Sequence, residues 1–278
     1  MDFITILEIA RQELIVNIRN RWTVIFALVF GALVVSISYF GIMAEGFSGM
    51  QNFTRTSASI LNLVLYIVPL LALTMGTLSF TGDKGSTELL YSQPVSRSEV
   101  MVGKLLGLFA SIALSTLLGF TVAGSIIVAQ SGPDGFLRYA ILVLLSLALS
   151  LVFLSLAVVI ATASKRKSKA FGVALFVWFF FVLFYDLLTL GGTVFLNLRG
   201  EIANHFLFLS LFGNPVDMVR VATLIVLDNI TIFGAAGAAL VRYMGGTTVG
   251  ALWLVCGIVL WIIIPLVWSN RLLRNQDI

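Results

Sequence analysis

The chain has 278 residues, 59% of them hydrophobic and 11% charged, where soluble domains average about 45–50% and about 25%. That balance excludes a soluble enzyme, and a single cysteine with a single histidine excludes a disulfide framework, a Cys/His zinc cage and a Cys-His catalytic pair. The net charge of +4 is small for this length, so the placement of the 17 basic residues says more than their number.

Residues 1–22 have the spacing of an amphipathic helix lying on a membrane. Asp2 can cap it, Phe3, Leu7, Ala10, Leu14 and Ile18 follow helical periodicity, and Glu8, Arg11, Glu13 and Arg19 fall on other faces. It is either a plain anchor or a docking element for a partner. These acidic residues, and the length of the apolar stretch that follows, argue against a cleaved signal peptide.

A helix needs about 20 mostly apolar residues to cross about 30 Å of hydrocarbon. Six stretches qualify: 23–43, 58–80, 105–129, 139–163, 170–195 and 249–269. Pro69 and Pro265 each remove a backbone donor from the second and sixth. Asp186 interrupts the fifth and is the one carboxylate expected in a membrane core.

Between the second and third stretches, residues 81–104 form a mixed-charge connection longer than two neighbouring spans require. Ser96 and Glu99 fit a capping box that opens the next helix. Glu88, Arg97 and Glu99 are the candidates there for contact with another protein. Immediately afterwards Gly103, Gly107, Ser111, Ser115 and Gly119 recur at every fourth residue, a stripe that lets two helix backbones approach closely, within one subunit or between two.

The region 196–248 holds two apolar pieces, Ile202–Phe212 and Val216–Leu227, each too short to span and separated by Gly213-Asn214-Pro215. They are expected as short helices dipping into the outer leaflet. A single kinked span is the alternative, but it would put Asn214, Asp217 and Arg220 in hydrocarbon. With six spans both termini share a face that carries twelve Lys and Arg against five on the other, and the positive-inside rule makes that face cytoplasmic. The expected fold is therefore an all-α polytopic membrane protein with six transmembrane helices, an N-terminal interfacial helix and short outer helices before the last span.

Asp186 is a functional candidate as an intramembrane carboxylate, or a structural one if it pairs with Arg220. Asn214, Pro215, Asp217 and Arg220 combine a chain break with two charges three residues apart, a spacing that suits an intrahelical ion pair or a site for an outer partner. Met43, Met50, His205, Met218 and Met244 carry ligands suited to Cu(I), yet they are scattered, methionine also fills apolar gaps, and no metal site is expected. Cys256 is expected as a small packing residue. Gly46-Phe-Ser-Gly49 matches a nucleophile pattern of intramembrane proteases only weakly, since Ser48 falls in a loop and nothing places His205 beside it. Gly103-Lys104 is followed by Leu105 rather than Ser or Thr, so it is no phosphate loop.

An amphipathic entry helix, six spans and a connection reading Gly-Ser-Thr-Glu-Leu-Leu-Tyr-Ser-Gln-Pro-Val-Ser-Arg and then Gly-Lys-Leu-Leu-Gly (85–97 and 103–107) resemble, over nearly the whole chain, the membrane subunits of type-2 ABC transporters. Within that superfamily, 178–187 and 214–220 resemble the permeases of nitrous oxide reductase maturation systems. The resemblance implies a homodimer in the bacterial inner membrane that carries two cytoplasmic ATPase subunits. A periplasmic copper-handling protein would join the outer face. ATP and Mg would sit on the ATPase, with no cofactor in this chain, no nucleic acid partner, and membrane lipid around it. An exporter of lipid, polysaccharide or drug is the alternative within the superfamily, and a non-transporting scaffold lies outside it.

Overall fold

The computed structural model describes residues 2–43, 49–81, 95–131, 135–164, 166–227 and 243–274. Among these the secondary structure is helical throughout: α1 Phe3–Ile18, α2 Arg21–Met43, α3 Gly49–Phe80, α4 Arg97–Ser131, α5 Phe136–Ala163, α6 Lys167–Phe179, a π turn Phe180–Phe184 running directly into α7 Tyr185–Phe195, α8 Gly200–Gly213, α9 Pro215–Val226 and α10 Thr247–Arg274. Five helical segments are long and apolar enough to cross a membrane: α3, α4, α5, α6 through α7, and α10. Two bent pairs, α1 with α2 at 70° and α8 with α9 at 108°, bring the number to as many as seven if each is one span.

The helices outrun the apolar stretches that define them. α3 begins at Gly49 and α4 at Arg97, because the hydrogen-bond ladder continues past the hydrocarbon wherever no proline or glycine stops it. Pro69 and Pro265 sit inside α3 and α10 without ending them, as helices packed in a bundle tolerate.

α5 is the central element. Half its length is buried, including Leu142, Leu149, Val152, Phe153, Leu154 and Ala157, and α3, α4, α9 and α10 pack around it. Its serines keep the ladder intact by bonding back to their own helix, Ser146 to the Leu142 carbonyl and Ser155 to Val152. By contrast α6 through α7 buries little, leaving Phe176, Phe184, Leu187, Leu190, Val194 and Phe195 exposed. Such a face is expected where lipid or a second subunit replaces water. Cys256 differs from the packing role expected of it: it is exposed on α10, because the sides of α10 that pack carry Leu254 and Ile258.

Candidate functional site

The break between α8 and α9 is built from its backbone outward. A helix end leaves four carbonyls without partners, and three of those of α8 are satisfied from three directions. The Tyr185 hydroxyl donates to the Ser210 carbonyl at 2.7 Å, the Asn214 amide to Leu211 at 3.3 Å, and the Trp261 indole N–H to Phe212 at 2.9 Å. Gly213 makes room for this tyrosine, because a Cβ at that position would collide with the Tyr185 hydroxyl. α9 starts on the next residue, with fully buried Asn214 as its cap and Pro215 in its first turn. Asn214 Oδ1 accepts from the Val216 N–H at 3.0 Å, the bond that favours asparagine as a cap. Proline costs nothing at this position, since its missing N–H would have had no partner.

The remaining amide of Asn214 ties the break to the span beside it. Nδ2 donates to the Phe181 carbonyl, inside the π turn, at 3.0 Å and to Asp217 Oδ2 at 2.7 Å. One turn on, Arg220 Nη1 lies 2.7 Å from Asp217 Oδ1 and 3.0 Å from Asp186 Oδ2. Asn214, Asp217, Arg220 and Asp186 thus form one connected cluster, with a single guanidinium between two carboxylates. Their side chains are partly sheltered, 20% exposed for Arg220, 16% for Asp217 and 38% for Asp186, so Asp186 is the member that reaches out of the bundle. π turns recur at functional positions in helices, and this one immediately precedes Tyr185 and Asp186.

A second group of polar contacts lies where α1 and α4 begin and α10 ends. Ser96 and Glu99 make the reciprocal bonds of a capping box, Ser96 N–H to Glu99 Oε2 at 2.9 Å and Glu99 N–H to Ser96 Oγ at 3.3 Å. Glu99 Oε1 also accepts the Asp2 amide at 2.7 Å, and these bonds, led by Ser96, hold its carboxyl down to about 2. Arg97 donates to the Leu273 carbonyl at 2.6 Å, and Ser98 to Asn270 Oδ1 at 2.8 Å. Two residues expected to face another protein are therefore engaged inside the subunit: Glu99, 8% exposed, holds the start of α1, and Arg97 holds the end of α10. Glu88 lies outside the described residues, as do Ser48 and the side chains of Met43 and Met50.

The stripe of small residues lies within the subunit. A Cβ on Gly103 would meet Ile9 at 2.8 Å, one on Gly107 would press into the Ala10 carbonyl and Glu13, and one on Gly119 would come 3.3 Å from Gly31. Ser111 and Ser115 are buried and bond to carbonyls of their own helix. α1 and α2 thus lie along one face of α4. Sequence reasoning missed the latch beside it: Glu13 Oε1 accepts from Ser79 Oγ at 2.6 Å, and Lys104 Nζ donates to the Ser79 carbonyl at 3.0 Å. It also missed Tyr185 and Trp261. An isolated tyrosine next to an intramembrane aspartate is a signal that could have found the first; nothing local marks the second.

Metal-ligand types are not gathered. Met218 and Met244 are buried against Gly257 and Gly250, and exposed His205 contacts the Tyr243 hydroxyl. Among the described residues there is no group of three His, Cys, Asp or Glu side chains that could hold a metal.

A bundle of helices this long and apolar has the architecture of a polytopic integral membrane protein. Residues 7–278 match the family described as ABC-2 family transporter protein, and the chain belongs to that family. It is 34% identical, over 97% of its length and 98% of the relative's, to a protein of Pseudomonas aeruginosa named "Probable ABC transporter permease protein NosY". A protein of the same name from Stutzerimonas stutzeri is 35% identical over 92% of this chain and 90% of its own. The chain is thus a NosY-like, ABC-2 type permease subunit of an ABC transporter, a class that works with an ATPase partner.

Proposed function

We propose that this permease transmits the work of ATP hydrolysis from cytoplasmic ATPase subunits to a periplasmic step in copper-site maturation of nitrous oxide reductase. It does so as a homodimer with six spans per subunit and both termini in the cytoplasm. In this arrangement α2 is the first span, and α8 and α9 form a re-entrant pair, because a bend of 108° turns the chain back toward the side it came from. The observation that carries the proposal is the pair of linked polar groups at opposite ends of one packed bundle. At one end Glu99, Arg97, Glu13 and Lys104 join α1, α3, α4 and α10; at the other, Asn214, Asp217, Arg220 and Asp186 join α7 to the break before α9. α10 runs between them, bonded to the α8 carboxyl end through Trp261 and to α5 through the Trp261 carbonyl and Ser155.

ATPase closure would push on the connection around Glu88 and on α1, with Arg97 and Glu99 as the positioning residues that hold that frame. The displaced bundle would then shift the outer cluster and the periplasmic copper-handling protein docked there. A permease can drive such a step only if each state makes different contacts, and a shared guanidinium able to favour either carboxylate supplies two arrangements. ATP and Mg belong to the partner ATPase, and this chain holds no cofactor.

The test is a deletion in the source bacterium grown on nitrous oxide. The reductase should accumulate with its copper sites unfilled and should recover when the gene is restored. Fully copper-loaded, active reductase in the deletion strain would overturn the proposal and leave export of lipid, polysaccharide or drug as the alternative.

A further inference from the structure

Where α4 begins and α10 ends, a cleft of about 330 Å³ opens between them. Its inner wall is apolar, made by buried Met101 with Val102 and Leu266. Its rim is polar. Asn270 lines it and accepts the Ser98 hydroxyl on Oδ1, so its amide protons have no partner among the described residues. Arg271 beside it is exposed, and no carboxylate pairs with it among the described residues. The cleft continues, through Val267, into an exposed apolar strip of α10, Ile263, Ile264, Val267 and Trp268, which are 49, 60, 46 and 59% exposed.

We propose that this cleft binds one anionic phospholipid of the adjoining leaflet, its acyl chain against Val102, Leu266 and the α10 strip and its phosphate on Arg271 and the Asn270 amide. Three observations choose this occupant. At about 330 Å³ the cavity is at the small end for ligand sites, a volume that suits part of an acyl chain and is too small to enclose a protein helix. Its apolar wall is continuous with a surface that lipid tails cover, so a chain enters without crossing water. The donors at the mouth, one cation and one amide with no acid beside them among the described residues, match a phosphate diester. Trp268 marks the depth, since indoles settle where tails meet head groups. A lipid so placed bridges α4 to α10 beside the Arg97–Leu273 bond and would tie the bilayer to the frame that holds residues 95–99.

The test uses full-length protein in non-ionic detergent, titrated with brominated phosphatidylglycerol or brominated phosphatidylcholine. Bromine quenches nearby indoles, and subtracting the signal of Trp268→Phe isolates Trp268. Phosphatidylglycerol should quench it at about fivefold lower concentration than phosphatidylcholine, the factor that one basic residue supplies toward anionic lipid. Arg271→Gln should bring the two curves together. Val102→Phe, which fills the cleft and keeps Arg271, should abolish the preference as well. Equal curves in the unmodified protein, or a preference that survives either substitution, would overturn the proposal, and absence of quenching by both lipids would assign the cleft to another occupant.

Discussion

Replacing Arg220 tests whether the outer cluster acts as one electrostatic unit. Both carboxylate oxygens lie within 3.0 Å of the same Nη1, so they are at most about 6 Å from each other; at an effective dielectric of about 20 their repulsion is about 3 kcal/mol. In the native protein the guanidinium between them offsets that repulsion. Arg220→Gln removes the cation and exposes it, so this single change should cost about 3 kcal/mol. Asp186→Asn should cost about 1 kcal/mol, because Arg220 keeps Asp217 at 2.7 Å. The two single changes are therefore unequal, and a simple pair of opposite charges would not make them so. In the Asp186→Asn background, Arg220→Gln no longer leaves two carboxylates face to face and should cost about 2 kcal/mol less than it does alone. A double-mutant cycle scored by thermal unfolding of the purified permease measures that coupling. Strict additivity, or equal losses from the two single changes, would refute the shared-cation account and leave Asp186 to be explained by its exposure alone.

Three other outcomes follow from the same geometry. Gly107→Leu puts a side chain into the Ala10 carbonyl and Glu13 and should cost about 1–3 kcal/mol as overpacking; α1 should become protease-sensitive while the protein stays in the membrane. Glu99, ahead of the apolar stretch of α4, is held at about 2 against an ordinary 4.5; its contribution to α1 docking is therefore complete above about pH 4.5 and is lost as pH falls through about 2. Acid release of α1, followed by a label on its first turn, should disappear in Glu99→Gln, whose amide cannot titrate and which holds α1 less tightly at every pH. With Cys256, itself exposed, replaced by Ser, cysteines introduced at Lys167 and at Glu201 should react with impermeant reagents from opposite sides of the membrane. Labelling of both from one side would refute the six-span topology.

Much of this protein was legible in its sequence because a membrane removes most alternatives. Backbone polar groups in hydrocarbon must be satisfied within the segment, so apolar runs of sufficient length specify helices, and Gly213-Asn214-Pro215 specifies where one must stop. The capping box at Ser96 and Glu99 was readable for a similar reason: it is local, three residues apart, and depends on backbone geometry alone. The partner of Asp186 was within reach because few charges exist to choose from. Tertiary structure decided what each local feature faces. Glu99 and Arg97 at the start of α4 show this: Glu99 accepts the Asp2 amide 97 positions away and Arg97 donates to the Leu273 carbonyl 176 positions away, partners that no local pattern names. The small-residue stripe could have served a second subunit; the 70° turn between α1 and α2 lays both helices along it. That Arg220 is shared by two acids, with Tyr185, the Phe181 carbonyl and Trp261 closing around the break, depends on where the π turn and α10 come to rest. Those positions come from side-chain packing among distant segments, and no pattern within any one of them encodes it.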